Sequence, residues 1–296
     1  MKGLLLVDKP KGPTSHDVVE HIRRAARIRK VGHTGTLDPA ATGLLILCLG
    51  VATRLTELLT RLDKVYEGAM LLGRVTDSHD LDGKTIEENP VPEFRATDIE
   101  RVLEAFTGDI LQVPPMISAV RIGGQRLYKR ARRGETIERP PRRVTVREFT
   151  MLELDLPYVH FRMGCTSGTY VRSLCHDVGQ RLGCGAALAN LRRTRVGKHA
   201  VRDAKPLDTF ATPEDVNRSL LPVERALDIP EVTVRPERRR AVAAGNMLYP
   251  DDFMDECPVE DGWLQIKSDA GALLALAKVN AAPTGRCIHP KRVLGE

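Results

Sequence analysis

The chain is 296 residues long, with 42% hydrophobic and 28% charged residues and a formal net charge of +6. Its length and apolar content suit one large core with a small second domain, rather than a single compact unit. No apolar run approaches the roughly 18 residues of a membrane span, and the apolar stretch in MKGLLLVDKPKG is too short for a signal peptide. The six cysteines form neither a CxxC pair nor a zinc-finger pattern, so we expect reduced thiols, no bound metal and a cytoplasmic protein.

The first elements enclose a polar segment. GLLLVD predicts a buried strand, Thr14 or Ser15 can cap a following helix, and GLLILCLG predicts a second strand. Between that helix and the second strand lies GHTGTLDP, residues 32–39, which is polar and rich in glycine and must form a loop. Polar groups between two core elements are held by a rigid scaffold, as catalytic loops are.

The next elements alternate between helix and strand patterns. A helix is predicted from Thr53 to Leu62, and a strand from Tyr66 to Val75 ends in the acidic turn Thr76–Gly83. Further predicted elements are a helix opened by a Thr97–Glu100 capping box, strands at Val144–Leu154 and Tyr158–Cys165, and a helix from Thr169 to Leu182.

Positive charge is concentrated in one segment. Residues 121–147 contain ten Lys or Arg and two Glu, which gives this segment +8 and leaves about −2 for the rest. The surrounding stretch, about 113–143, has four prolines and little apolar periodicity, so we expect a long excursion from the core. A solvated basic loop is the commoner explanation of such a run, and nucleic acid is favoured only when other observations join it.

A domain boundary is predicted near Pro230–Arg235, where the pattern changes to short apolar pieces separated by Gly, Pro and Asp. We therefore expect a catalytic domain over residues 1–230 and a small β-rich domain over 231–296.

Asp38 is the candidate catalytic carboxylate. Its loop contains two glycines, hydroxyl side chains and His33, and Pro39 restricts the backbone just after it. An arbitrary Asp-Pro is more often a turn aspartate that bonds its own backbone. The wider sequence reverses that preference.

GHTGTLDPAATGLL, residues 32–45, resembles the signature loop of the TruB-type bacterial pseudouridine synthases that act on the T arm of tRNA, in which the aspartate is catalytic. Four more segments are similar to the same family in the expected order: VDKPKGPTS, KVYEG, CTSGTYVRSLCHDVG and LANLRRTRVG. The resemblance spans nearly the whole predicted catalytic domain.

The resemblance implies an α+β fold, with a mixed, largely antiparallel sheet, flanking helices and a small C-terminal β-rich module of the PUA type. It also implies isomerisation of uridine at position 55 of tRNA to pseudouridine, without metal or organic cofactor. Asp38 could attack C1′, add to C6 of the base or remove the C2′ proton, and the sequence leaves these routes open. The target uridine must be flipped out of the folded arm.

Further site residues follow from the same resemblance. Tyr66 matches a tyrosine that stacks on the flipped base and takes part in proton transfer, and Arg172 matches an arginine that pairs with the catalytic aspartate. Lys9, Tyr170 and Leu191 match residues of the uridine site. His33 matches a histidine that inserts into the RNA.

The basic excursion resembles a mobile insertion that closes on the T arm and contacts phosphates. Its candidate RNA-binding residues are Arg126, Lys129, Arg130, Arg132 and Arg133. The expected partner is tRNA, and we expect a monomer that needs neither membrane nor protein partner.

Two other functions stay open. A guide-RNA-dependent synthase of the dyskerin type shares the catalytic loop but lacks the long basic insertion, and a tRNA-folding chaperone would make catalysis secondary. The acidic turn also departs from the family, which more often has a second threonine there. Ser78 and His79 therefore have no assigned role, and Asp80 is interpreted as a structural anchor of the turn.

Overall fold

The computed structural model describes residues 1–116, 137–257, 261–280 and 286–295, and it describes residues 121–122, 125–126, 281–282 and 285 by their backbone alone. The strands are β1 Gly3–Lys9, β2 Val31–His33, β3 Thr42–Leu49, β4 Lys64–Leu72, β5 Arg74–Thr76, β6 Thr85–Glu88, β7 Gly108–Gln112, β8 Arg121–Ile122, β9 Gln125–Arg126, β10 Arg142–Asp155, β11 Tyr158–Cys165, β12 Ala186–Val196, β13 His199–Ala200, β14 Lys205–Pro206, β15 Glu231–Thr233, β16 Gly262–Lys267, β17 Leu273–Ala282 and β18 Gly285–Val293. The described α-helices are α1 Ser15–Ala26, α2 Thr56–Arg61, α3 Ala96–Ala105, α4 Val171–Leu182, α5 Pro213–Arg218 and α6 Arg239–Ala243.

A mixed sheet of ten described strands forms the body of the protein, in the order β14-β1-β3-β12-β4-β11-β10-β7, with β2 beside β3 and β13 beside β12. The β1–β14 and β12–β3 pairs are parallel, and the other pairs are antiparallel. This confirms the predicted α+β class with a largely antiparallel sheet.

Strands β1 and β3 read as unbroken apolar runs because both faces of the sheet are covered. In β1, Leu5 and Val7 join one core, whereas Leu4 and Leu6 join another. The first core packs against α1, α3, α4 and α5, and the second packs against α2 and part of the C-terminal segment. The strands are therefore buried from both sides, which near-continuous apolar sequence indicates.

Local signals placed most helix ends correctly. Thr14 caps α1 in a full capping box with Asp17, and Gly183 ends α4 with φ of 81°. The predicted Thr97–Glu100 capping box is wrong: α3 begins two residues earlier, with Arg95 as the N-cap and the Asp98 carboxylate accepting from the Arg95 N–H at 3.2 Å. The single strand predicted from Tyr66 to Val75 is two strands, because Gly73 takes φ of 83° between β4 and β5.

The C-terminal segment has a second sheet in the order β15-β16-β17-β18, with a core of its own. Leu273, Leu276 and Leu294 nevertheless belong to the core that contains Leu4 and Leu44 of the main sheet. Arg292 also forms an ion pair with Glu57 at 2.8 Å. The second sheet therefore packs directly against the first.

Candidate active site

The loop between β2 and β3 carries Asp38 on a backbone held from several sides. The Ser15 hydroxyl donates to the Leu37 carbonyl at 3.0 Å and accepts from the Leu37 N–H at 2.8 Å. The Gly12 N–H donates to the Pro39 carbonyl at 2.9 Å, and the Ala41 N–H donates to the Asp38 carbonyl at 3.0 Å. The Asp38 side chain remains 54% exposed, so a fixed turn presents its carboxylate to solvent.

Lys9 is fully buried beneath this loop. Its ammonium donates to the carbonyls of Ala41, Pro10 and Pro39 at 2.7, 2.9 and 3.2 Å. Burial lowers the pKa of Lys9 to about 8, against the opposing charge of Asp38. Lys9 therefore holds the loop through the carbonyls of Pro39 and Ala41. Its predicted contact with a bound uridine stays a prediction.

Arg193 is a second buried cation that binds this loop. Its guanidinium donates to the carbonyls of Leu44, Gly35 and Thr36 at 2.7, 3.0 and 3.4 Å, and 2% of the residue is exposed. Gly43 lies against the Arg193 backbone, where an added Cβ would stand 2.4 Å from the Arg193 carbonyl oxygen. Glycine at position 43 therefore lets β3 and β12 approach closely enough for this contact.

Tyr66 stands opposite Arg193 in the β4–β12 register and is 8% exposed. Burial raises the pKa of its phenol, while the positive charge of Arg193 and a hydrogen bond from it act the other way. The phenol is therefore neutral and bonded to the same guanidinium that holds the Asp38 loop. Its predicted stacking on a flipped base remains a prediction.

Arg172 lies between two carboxylates. Its Nη2 is 3.7 Å from Oδ2 of Asp38, and its Nη1 is 3.2 Å from Oδ2 of Asp80. Arg172 is buried, and the Asp80 side chain is 17% exposed. The predicted pairing partner of Asp38 is thus adjacent to it, and Asp80 anchors that arginine as well as its own turn.

The turn that carries Asp80 is stabilised by two hydroxyls and by β12. Thr76 Oγ1 donates to the Asp80 carbonyl at 2.7 Å, and the Ser78 hydroxyl donates to the Asp80 carboxylate. The Leu188 N–H donates to the His79 carbonyl at 2.9 Å. Ser78, left without a role by the sequence, therefore orients the second carboxylate partner of Arg172.

Tyr170 is the N-cap residue of α4, two positions before Arg172. The Gln112 amide donates to the Tyr170 carbonyl at 2.9 Å and accepts from its N–H at 2.8 Å. The Arg172 guanidinium carbon lies 6.0 Å from the centre of the Tyr170 ring. Gln112, which is buried, thereby fixes the first turn of α4 and the arginine on it.

His33 and Leu191 lie on strands that flank the loop. His33 pairs with Leu47, and its Nδ1 accepts from the Gly35 N–H at 3.3 Å, so the ring proton sits on Nε2. Burial, with smaller contributions from Arg193 and His16, lowers the pKa of His33 and favours this neutral ring. Leu191 pairs with Gly68 on β4 and is partly buried against the first core.

The structure does not test the predicted RNA-binding side chains. Lys129, Arg130, Arg132 and Arg133 lie outside the described residues, and Arg126 is described by its backbone alone. In the described part of the chain, no group of three or more His, Cys, Asp or Glu side chains could hold a metal ion. No helix there is both long and apolar enough to cross a membrane.

Sequence reasoning missed Arg193, Ser78 and Gln112. Arg193 lies in LANLRRTRVG, which is similar to a segment of the family. The sequence predicts neither a strand there nor a buried Arg193, because arginines are seldom buried. Its only sequence signal was the alternation of Leu191, Arg193 and Arg195 within a strand, where a buried and an exposed arginine look alike.

Comparison with known proteins gives one consistent result. Residues 23–171 match the model of the TruB family pseudouridylate synthase N-terminal domain, and residues 172–228 match that of the tRNA pseudouridylate synthase B C-terminal domain. The chain is 50% identical to tRNA pseudouridine synthase B of Opitutus terrae over 228 residues, which are 76% of this chain and 95% of the relative. It is 40% identical to the protein of that name from Syntrophotalea carbinolica over 280 residues, 94% of this chain and 92% of the relative.

Solved structures with a similar fold extend along nearly the whole chain. An H/ACA RNP bound to a substrate RNA containing 2′-deoxyuridine matches with a TM-score of 0.75 and 27% identity, over 99% of this chain and 85% of the other. The archaeal box H/ACA sRNP Nop10–Cbf5 complex matches with a TM-score of 0.74 and 28% identity, over 99% and 86%. The similarity therefore includes the second sheet as well as the main one.

Proposed function

The chain belongs to the TruB family of pseudouridylate synthases and isomerises uridine to pseudouridine in tRNA, and we propose that its target is uridine 55 in the T arm, with Asp38 as the catalytic carboxylate. The observation that carries this proposal is the setting of Asp38. Its half-exposed carboxylate stands on a loop fixed by Lys9 and Arg193, with Arg172 at 3.7 Å.

The reaction breaks the bond between N1 of the base and C1′ and joins C5 to C1′. The proton on C5 is released, and N1 takes up a proton from solvent, so the product is an isomer of the substrate. Asp38 is the exposed carboxylate at the site, and Arg172 places a positive charge beside it. Tyr66 is hydrogen-bonded to Arg193, and its neutral phenol can receive the turned base and pass a proton. Because the loop carbonyls are bonded before RNA arrives, little reorganisation is needed when the base enters.

We assign RNA binding to the residues around Asp38, to the basic excursion and to the C-terminal domain. His33 enters the T loop as the base is flipped, while Leu191 and Tyr170 line the uridine pocket. The basic excursion neutralises phosphates through Arg126, Lys129, Arg130, Arg132 and Arg133.

Residues 231–296 act as a PUA-type RNA-binding domain beside the catalytic domain of residues 1–230. Support comes from the second sheet, which starts at Glu231 and has its own core. In the arginine cluster near its start, Arg238 pairs with Asp252 at 2.8 Å and Arg239 pairs with Asp269. Arg240 is exposed on the same helix, so among the three arginines of this cluster we assign RNA contact to Arg240.

The protein acts as a monomer without a guide RNA. The sequence relatives at 40–50% identity are named tRNA pseudouridine synthases, whereas the H/ACA proteins match at 27–28%. A guide-dependent enzyme would leave free tRNA unmodified.

The test uses a tRNA transcript labelled with tritium at C5 of uridine, with the purified protein and no other RNA. Label release measures turnover, and sequencing after pseudouridine-specific alkylation locates the product. We expect stoichiometric release from position 55 and none from a transcript with cytidine there. Asp38→Asn should bind tRNA normally and release no label, whereas Asp82→Asn, an exposed carboxylate of the neighbouring turn, should match wild type.

Three results would overturn the proposal in different ways. Turnover by Asp38→Asn would remove Asp38 from the chemistry. Modification at another uridine would keep the activity and reject position 55. Binding and refolding of tRNA without label release would favour the chaperone function.

A further inference from the structure

His79 and His176 form a stacked pair beside the candidate site. Their ring centres are 4.0 Å apart and their planes differ by 3°. His79 lies in the turn between β5 and β6 with φ of 66°, and His176 lies on α4. Stacking of this kind favours one relative placement of the two segments that carry the rings.

The stack is adjacent to the Arg172–Asp80 ion pair. His79 immediately precedes Asp80, and His176 follows Arg172 by four residues, which puts both α4 side chains on one face of the helix. The same turn and the same helix are thus joined twice, once by charge and once by stacked rings. Because Arg172 also contacts Asp38, a shift of the turn against α4 would move the charge that faces the catalytic carboxylate.

The surroundings favour a neutral His79 ring. Burial lowers the pKa of His79 to about 4, and His176, Arg172 and Arg139 add to this effect while Asp80 opposes it. The Nδ1 atoms of both rings are buried without a hydrogen-bond partner among the described residues. A ring nitrogen without a proton is less costly in that position than an unpaired N–H, which agrees with a neutral His79 ring. The contact between the two rings is one of stacking.

We propose that the His79–His176 stack is a positioning device for uridine isomerisation: it holds the Asp80 turn against α4, so that Arg172 is aligned with Asp38. Neither histidine touches the reacting atoms in this role. The inference rests on the proposed function of Asp38, and it concerns two residues that the reaction itself does not use.

Three variants test the stack. His79→Asn removes one ring but suits the left-handed backbone of that position. His176→Ala removes the other ring from a helix that tolerates alanine, and His176→Phe keeps an aromatic ring in its place. Single-turnover rates with saturating enzyme and the KM for tRNA are measured for each, with His160→Phe on β11 as the control.

We expect both ring-removing variants to lower the single-turnover rate by about tenfold while KM changes less than about twofold, since misalignment acts on the chemical step. His176→Phe should stay within about threefold of wild type by the same argument. The double variant His79→Asn/His176→Ala should be no slower than either single variant, because both remove one stack.

Equal rates for wild type and the ring-removing variants would overturn the inference. So would a His176→Phe rate as low as that of His176→Ala, or losses that multiply in the double variant. Failure of the proposed function looks different: wild type itself would then release no label from position 55, whatever the histidine variants do.

Discussion

The Arg172 guanidinium lies 3.2 Å from the carboxylate of Asp80, closer than the 3.7 Å that separates it from Asp38. Of these two carboxylates, the one closer to the arginine belongs to a residue that the sequence suggested only as an anchor of its turn. Its second nitrogen remains directed at Asp38. Asp80 and Asp38 thus face different nitrogens of one guanidinium.

Removing the Asp80 charge should therefore slow catalysis without preventing RNA binding. We expect Asp80→Asn to lower kcat by about tenfold, because Arg172 can then turn toward Asp38 and lose its alignment. The KM for tRNA should be nearly unchanged. Asp77→Asn, in the same turn but exposed, provides the comparison, and an equal loss in both variants would show that turn structure rather than charge is responsible.

Arg193 should be required for stability as well as activity. Arg193→Lys cannot reach the carbonyls of Gly35, Thr36 and Leu44 together, so we expect a loss of about 2–4 kcal/mol in the free energy of unfolding. Arg195→Lys, an exposed position two residues further along β12, should change it by less than about 0.5 kcal/mol. Urea denaturation measures both, and similar values for the two variants would contradict the proposed role.

Lys9 should make stability depend on pH in the alkaline range. Its folded pKa of about 8 lies below its ordinary value of 10.5, so between these values the unfolded chain holds a proton that the folded protein has released. Rising pH therefore favours the folded state across that window, and the free energy of unfolding of wild type should rise relative to Lys9→Met. Parallel pH profiles would contradict this, and Lys11→Met, an exposed neighbour, serves as the control.

His79 should have the corresponding effect in the acidic range. Its pKa is about 4 when folded and ordinarily 6.5, so below pH 6.5 the unfolded chain takes up a proton that the folded protein does not. Stability is therefore lost as pH falls from 6.5 toward about 4. Denaturation of His79→Asn should show a shallower fall than wild type over this range, whereas His16→Asn, an exposed histidine on α1, should follow wild type.

The basic excursion should determine the salt dependence of tRNA binding. Arg132→Glu combined with Arg133→Glu should weaken binding and reduce the slope of log Kd against log salt by about 1 for each lost phosphate contact. Arg101→Glu combined with Arg181→Glu makes the same change in net charge on exposed faces of α3 and α4. Equal weakening by both pairs would show that net charge alone is responsible.

Segments with strong local signals were predicted closely. β1 and β11 were recognised from apolar pattern, and α1 and α4 from their cap residues and helical spacing. Errors arose where a local signal had two solutions. The helix α3 could begin with either Arg95 or Thr97 as its N-cap, and in the structure Asp98 accepts from the backbone of Arg95. Gly73 divides a run of strand-forming residues into two strands.

The amino-acid sequence by itself determined the family resemblance, the α+β class and the choice of Asp38. These three conclusions depend on local patterns and on sequence motifs. Only the tertiary structure decided which cations are buried and what they bind. Lys9 and Arg193, 184 positions apart, bind the same loop, and Asp80 contacts Arg172 across 92 positions. Such contacts depend on strand register and on burial from both faces of the sheet, which sequence spacing does not encode.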